Sequence, residues 1–261
     1  MNVTFDFSRK NFVVVGASSG IGRQVALELS QSGANVLAVG RNLERLDALR
    51  ANSPVNLIKH PPRIFVEQLD VTKTTADEWS SVLENFTRSV GKINGGVYTA
   101  GIWGLTPLNS FDESLAHKIF DTSFWGAVKF LQTATRKKFS DGGASFVLMS
   151  SVAGEFSGKS LFAYSAAKAA VQAAVKSFAA EIVRGGHRIN SVAPALVKTE
   201  MMQIEMFAAA ASEEIISRHL LGLGTAEDVA GMILFLLSER ASWITGQNFF
   251  VDGGYMLGVR S

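Results

Sequence analysis

Short apolar runs alternate along the chain with longer stretches in which apolar residues return every three or four positions. The runs Phe12–Val15, Val36–Val39, Ile64–Val66, Val97–Ala100, Ser145–Met149, Ile189–Ala193 and Phe249–Val251 are rich in Val, Ile and Phe. They lack the apolar–polar alternation of a half-exposed strand, so each reads as a strand covered on both faces. Between them, Ile21–Gln31, Leu43–Ala51, Ala76–Val90, Phe111–Phe139, Phe162–Arg184 and Ala226–Ser238 carry helical spacing. Alternation repeated this often predicts an α/β fold, a parallel sheet with helices on both faces.

Two segments interrupt the rhythm. Asn52–Arg63 holds Pro54, Pro61 and Pro62 and reads as a loop. Alternation resumes after it, so residues 1–261 are expected to form one domain. Glu200–Leu223 holds Met201, Met202, Met206 and Phe207 and then a run of alanines. It predicts a short helical excursion off the sheet, either packed on the body or placed as a flap over a site.

Composition narrows the classes. Charged residues make up 18% of the chain, below the roughly 25% of average proteins, which predicts a large core or buried subunit contacts. The net charge of +2, from 25 basic and 23 acidic residues, argues against nucleic-acid and membrane-surface partners. Cysteine is absent, which removes disulfides, thiolate metal sites and cysteine nucleophiles and fits a reducing, cytoplasmic location. His60, His117, His187 and His219 lie far apart in sequence, so no metal site is expected. Arg9 and Lys10 precede only a few apolar residues before glycines begin, which reads as a first strand rather than a signal peptide. The longest apolar run, Met232–Leu237, is far short of the ~20 residues that span a bilayer.

The first strand ends in FVVVGASSGIG, with Gly16, Ser18, Ser19, Gly20, Ile21 and Gly22 leading into a helix. Glycines let backbone N–H groups approach a pyrophosphate, and the helix start adds positive potential. The alternative is a tight strand–helix turn. After the second strand stand Gly40, Arg41 and Asn42. An acidic residue there would bind a ribose 2′-hydroxyl, whereas arginine takes a 2′-phosphate, so NADPH/NADP is expected over NADH. Arg41 could equally cap a solvated helix. Asp70, in LDVT with Val71, suits the adenine amino group or an N-cap.

Tyr164 and Lys168 are four apart in YSAAK and share one face of a helix. A tyrosine is a poor base at neutral pH, but a nearby ammonium stabilises phenolate and is expected to lower its pKa. The pair can then move a proton to or from a carbonyl oxygen while hydride moves at carbon. Ser151, at the end of a strand thirteen residues earlier, can hold the substrate oxygen or simply form a turn. By position, Ala153, Glu155, Phe156, Phe162, Leu196, Met201 and Met202 are the expected substrate-pocket residues. Phe156, Phe162 and the methionines favour an apolar or acyl-bearing substrate, and Glu155 a hydroxyl or amine; the alternative is that the aromatics belong to the core and the methionines pack the flap.

Together these motifs resemble the short-chain dehydrogenase/reductase family of the single-domain type, with its 3-oxoacyl-carrier-protein reductase-like members. The likeness runs from Phe12 to Met256 and includes RINSVAPALVKTEM and WITGQNFFVDGGYML. It implies a three-layer, doubly wound, Rossmann-like fold with a seven-stranded parallel sheet. It also implies a small-molecule carbonyl or alcohol substrate, and a homotetramer or homodimer built on helices near 111–138 and 162–184. Ser151, Tyr164 and Lys168 match the family's catalytic residues. Ala100 and Gly101 match a close approach to the cofactor, and Pro194, Val197 and Thr199 a segment contacting the nicotinamide carboxamide.

The chain departs from the family pattern at three places. Tyr98 and Thr99 replace two asparagines, and are expected to lose amides that tie neighbouring strands. Ser123 takes the place of a helix asparagine that holds a kink and, through its carbonyl, a water leading to the lysine. A weakened or rerouted relay is expected rather than a dead enzyme, and the alternative is a non-catalytic NADP(H)-binding sensor. Ala195 replaces a glycine and fits only at negative φ.

Overall fold

A computed structural model describes residues 3–52, 63–203 and 213–257. The strands are β1 (Asn11–Val15), β2 (Asn35–Gly40), β3 (Ile64–Gln68), β4 (Ile93–Tyr98), β5 (Ser140–Met149), β6 (Arg188–Pro194) and β7 (Asn248–Val251). They form one seven-stranded sheet in the order β3-β2-β1-β4-β5-β6-β7, and every pairing is parallel. The fold is the Rossmann-like, doubly wound α/β arrangement. Val14 of β1 lies between Ala38 of β2 and Val97 of β4. Strand order reverses there, so a crevice opens at the carboxyl ends of β1 and β4.

The continuous apolar runs have a physical cause, because both faces of the sheet are covered. On one face Val14, Ala38 and Val147 pack with Val25 and Leu29 of α1 (Gly20–Gln31), Leu46 of α2 (Leu43–Ala51), and Ile233 and Leu237 of α8 (Ala226–Leu237). On the other, Val13, Val39 and Leu148 pack with Trp79 and Leu83 of α3 (Ala76–Val90), Phe130 of α5 (Gly126–Ala134) and Val171 of α6 (Phe162–Ile182). Thr75 and Glu78 start α3 with a reciprocal capping box, and Thr225 and Asp228 do the same for α8.

The helix expected over 111–139 divides. It runs as α4 (Glu113–Phe120), a π-helical turn at Asp121–Trp125, and α5, which ends at Ala134. The following residues turn, and β5 starts at Ser140, earlier than its apolar run, because Ser140 pairs with Ile93 at the sheet's near end. The excursion after β6 contains a short helix, α7 (Glu213–Ser217). Residues 53–62 of the proline-marked loop and 204–212 of the excursion, with Met206 and Phe207, lie outside the described residues. No helix among the described residues is long and apolar enough to cross a membrane.

Candidate active site

The turn from β1 into α1 is built by glycine. Gly16 has φ +92°, and a Cβ there would sit 2.6 Å from the Ala100 nitrogen. A Cβ on Gly22 would run into the Gly16 carbonyl and the Thr99 hydroxyl. Any side chain at either position would push apart β1, β4 and the start of α1. The loop is thereby drawn against β4, and its Gly16 and Ala17 N–H groups donate to the Val39 carbonyl. At the start of α1 the Gly20 N–H already holds an anion, donating to Glu200 Oε2 at 3.0 Å.

A cleft of about 910 Å³ occupies the crevice. Gly16, Ser18, Ser19, Gly20, Ile21 and Gly22 line it, with Arg41, Asp70 and Val71 on the β2–β3 side. Ala100, Gly101, Pro194, Val197 and Thr199 line its middle. Ser151, Tyr164 and Lys168 line it on the β5 side. Asp70 Oδ1 accepts from the Thr72 N–H at 3.1 Å and the Thr72 hydroxyl at 2.8 Å. Burial works against the ionised carboxyl, but those bonds and the charges of Arg41 and Lys73 outweigh it, so Asp70 sits below its ordinary pKa. The cap of α3 is Thr75, so Asp70 is not its N-cap.

Helix α6 carries the tyrosine and the lysine. Its alanines let it lie close to α4, where Ala163 and Ala167 pack on Ala116 and Ile119. Its first turn is anchored where the Ala163 N–H donates to Thr106 Oγ1 at 3.3 Å. Ser150 Oγ donates to the Lys168 carbonyl at 3.0 Å, and Gln172 Nε2 donates to the Ser151 carbonyl at 3.0 Å. These bonds fix the end of β5 against α6 and bring Ser151 beside Tyr164. Lys168 is buried, and its Nζ donates to the Met149 carbonyl at 3.0 Å and lies 5.6 Å from the Tyr164 ring centroid.

The expected lowering of the tyrosine pKa is not what this geometry gives. Burial pushes the Tyr164 phenol above its ordinary value, opposed by the neighbouring Ser151 hydroxyl. Burial also lowers the Lys168 ammonium to about 8. The ammonium donates to a carbonyl rather than to the phenol oxygen, so desolvation dominates at both groups.

Over residues 16–256 the chain matches the family model described as enoyl-(acyl carrier protein) reductase. The chain belongs to the short-chain dehydrogenase/reductase family. It is 31% identical over 246 residues to 3-oxoacyl-acyl-carrier-protein reductase of Thermotoga maritima, covering 94% of this chain and 97% of that one. It is 30% identical over 255 residues to L-rhamnose 1-dehydrogenase (NAD(P)(+)) of a Sphingomonas species, covering 96% and 98%. A crystal structure of a short-chain dehydrogenase/reductase, glucose/ribitol dehydrogenase, from Brucella melitensis superposes with a TM-score of 0.87 at 26% identity, covering 97% and 99%. The chain is thus an oxidoreductase of a family that uses NAD(P) cofactors.

Not every expected site residue of this short-chain dehydrogenase/reductase reaches the cleft. Asn42 does not line it; its Oδ1 accepts from the Arg45 N–H at 2.9 Å and caps α2, leaving Arg41 free of that task. Glu155 is exposed outside the lining. Phe162 turns away to meet Phe111, with ring centroids 5.4 Å apart. Phe156, Met201, Ala153 and Leu196 do line the cleft, whereas the side chain of Met202 lies outside what is described. Ser123 is buried in the π-helical turn behind the cleft, and its Oγ has no hydrogen-bond partner among the described residues. Both Ser123 Oγ and Lys168 Nζ crowd Gly101, at 3.4 and 3.3 Å from where its Cβ would stand.

Tyr98 and Thr99 do tie the structure together, by other bonds than the expected amides. The Thr99 hydroxyl donates to the Val15 carbonyl at 2.9 Å, joining β4 to β1. The buried Tyr98 hydroxyl donates to the Thr122 carbonyl at 2.7 Å, joining β4 to the π-helical turn. Ala195 is not among the residues with positive φ, so it replaces glycine without strain.

Sequence reasoning missed Trp103, Lys159, Glu200, Arg218 and Tyr255, all of which line the cleft. Glu200 and Arg218 fall in the segment whose broken rhythm marked it as an excursion, packed on the body or placed as a flap. Nothing in the sequence sets them apart from its other charged residues, Glu205, Glu213 and Glu214.

Proposed function

We propose that the protein is an NADP(H)-dependent oxidoreductase moving a hydride between nicotinamide and a carbonyl or alcohol substrate, with Tyr164 as general acid/base. The observation that carries this reading is the lining of a single cleft by Ser151, Tyr164 and Lys168 together with the glycine loop and Arg41. The residues suit the cofactor: a carboxylate already rests on the Gly20 N–H, where a phosphate oxygen would be accepted.

In this reading the loop from Gly16 to Gly22 holds the pyrophosphate, Asp70 and Val71 the adenine side, and Arg41 a 2′-phosphate. Ala100 and Gly101 allow close approach, and Pro194, Val197 and Thr199 hold the carboxamide. The nicotinamide, when bound, supplies or accepts the hydride. Ser151 Oγ holds the substrate oxygen. Tyr164 Oη gives its proton to that oxygen in reduction and recovers it in oxidation. Burial favours the protonated phenol, which suits donation. Lys168 holds the ribose and, when charged, supports the phenolate left behind. Ser123 stands behind the lysine as a minor part of the relay.

The competing non-catalytic reading, motivated by Ser123 together with Tyr98 and Thr99, keeps only its Ser123 part, because Tyr98 and Thr99 each have a structural bond. We also propose residues 1–261 as one cytoplasmic domain, with no nucleic-acid or membrane partner. The proposed homotetramer or homodimer forms through the segments near 111–138 and 162–184, where Phe111, Trp125 and Phe162 are exposed.

The test is an initial-rate assay of NADPH and NADH oxidation over a carbonyl panel, with Tyr164→Phe as the blank. Tyrosine-dependent turnover preferring NADPH is the expected result. A preference for NADH overturns the Arg41 argument and leaves the proton chemistry standing. Tight NADPH binding without any turnover overturns the enzyme reading.

A further inference from the structure

The substrate side of the cleft holds a fixed cation that the hydride and proton chemistry does not use. Arg218 follows α7, and its guanidinium carbon lies 4.4 Å from the ring centroid of Phe156 and 4.4 Å from that of Tyr255. The two rings stand at 75° with centroids 6.1 Å apart, so the guanidinium sits in the corner between them. The corner is itself anchored. Tyr255 is buried, and the His219 ring lies 4.8 Å from it. His219 Nδ1 donates to the Ile215 carbonyl at 3.0 Å, and Nε2 accepts from the Leu196 N–H at 3.2 Å. That pair of bonds ties the corner to the end of β6, beside the catalytic pocket.

Phe156, Tyr255 and Arg218 line the same cleft as Ser151 and Tyr164, and so does Lys159. Phe156 follows β5 and Tyr255 follows β7, so this cation sits on the opposite side of the switch point from Arg41. The carboxylates lining the cleft are engaged elsewhere: Asp70 with Thr72, and Glu200 with the Gly20 N–H. Among the described residues neither Arg218 nor Lys159 is paired with a carboxylate. A guanidinium held by its faces keeps its in-plane N–H donors for a planar acceptor, and a carboxylate matches that fork with two bonds.

We infer that Arg218 is a specificity-determining residue and that the substrate is an oxo acid or hydroxy acid, with its carboxylate on Arg218 and its carbonyl or hydroxyl on Ser151 and Tyr164. This deepens the oxidoreductase reading and rests on it for the identity of the reacting group. The apolar walls of Phe156, Met201 and Leu161 take the carbon body between the two. Lys159 adds positive potential without a fixed contact.

Two measurements test it. The first compares kcat/KM for a homologous series of methyl ketones ending in a carboxylate with kcat/KM for their methyl esters. A charge-assisted pair contributes about 1.5–3 kcal/mol, which is roughly a tenfold to hundredfold preference for the acid. Arg218→Met should bring that preference close to one, mainly through KM, and Arg218→Lys should restore part of it. The second uses saturated carboxylates of the same lengths, which have no carbonyl to react, and reads the rise in melting temperature of the cofactor-loaded protein. The wild type should be stabilised and Arg218→Met should not. If carboxylates bind in this Arg218-dependent way while no ketone turns over, the carboxylate site on Arg218 stands and the oxidoreductase reading, with the oxo-acid identity that rests on it, falls. If esters turn over as well as acids and Arg218→Met changes neither measurement, the inference is overturned. Stabilisation by alkyl phosphates but not by carboxylates also overturns it. Should Arg218→Met not fold, Arg218→Gln keeps the bulk and half-exposed position and serves in its place.

Discussion

Glu200 Oε2 accepts a hydrogen bond from the Gly20 N–H at 3.0 Å. The contact joins the start of the excursion after β6 to the first residue of α1, across 180 residues of chain. It places a carboxylate at a helix N-terminus, where the backbone potential is positive and a pyrophosphate is expected. With a cofactor held as proposed, Glu200 would compete with its pyrophosphate for the same N–H.

Glu200→Gln should tighten NADP(H) binding. The carboxylate must leave the loop and would then stand near a like charge, an effect on the order of 1 kcal/mol. A three- to tenfold fall in Kd is expected, with the larger change at low salt. Quenching of protein fluorescence by NADPH measures it. A rise in Kd instead would show that Glu200 is a ligand of the cofactor rather than its rival.

Arg41 lines the cleft while Asn42 takes over the capping of α2, so Arg41 is available to a 2′-phosphate. Arg41→Ala should raise KM for NADPH about tenfold to a hundredfold and change KM for NADH little. Parallel initial-rate series with the two cofactors give the ratio. Equal losses with both would assign Arg41 to general positive potential.

The parts read most easily from sequence were those whose chemistry lies within one element. The strands stood out because Val14 and its neighbours are buried on both faces, and the glycine loop and the Tyr164–Lys168 pair are local patterns. Phe162 was misplaced because it stands two residues before Tyr164, on a different face of α6. The break in the helix near Ser123 carries no proline or glycine within the π-helical turn itself, and the bond that holds it, from the Tyr98 hydroxyl to the Thr122 carbonyl, comes from a strand far away in the chain. Arg218, Phe156 and Tyr255 come from three separate segments, so no spacing in the chain could bring them together.

Tyr98 and Gly126 should behave as a coupled pair. A Cβ on Gly126 would run into the Tyr98 hydroxyl, while the ring carbon bearing it would be 3.2 Å away. Gly126→Ala should therefore destabilise by about 2 kcal/mol through overpacking. Tyr98→Phe should cost about 1–1.5 kcal/mol, the bond to the Thr122 carbonyl. In the Tyr98→Phe background Gly126→Ala should cost less than half its single value, because the colliding oxygen is gone. Urea denaturation of the four proteins closes the cycle, and additive costs would refute the coupling.

Lys168 gives the pH dependence a definite sign. Its pKa falls from the ordinary 10.5 to about 8 because burial disfavours the ammonium. Below pH 8 both folded and unfolded chains carry the proton, and the folded state bears the full cost of a buried charge. Between about 8 and 10.5 the unfolded chain binds more protons than the folded one, so this group makes stability rise with pH. The gain at full deprotonation is about 3 kcal/mol at most, taking ~1.4 kcal/mol per pKa unit. Lys168→Met keeps the stem and removes the titration. The unfolding free energy of the wild type minus that of Lys168→Met should therefore climb from pH 7.5 to 9.5 in urea titrations of the cofactor-free protein. A flat difference would mean that the Met149 carbonyl, 3.0 Å from Nζ, compensates the buried ammonium in full. Lys168 would then stay charged throughout the range in which the proposed proton transfer of Tyr164 is to be assayed.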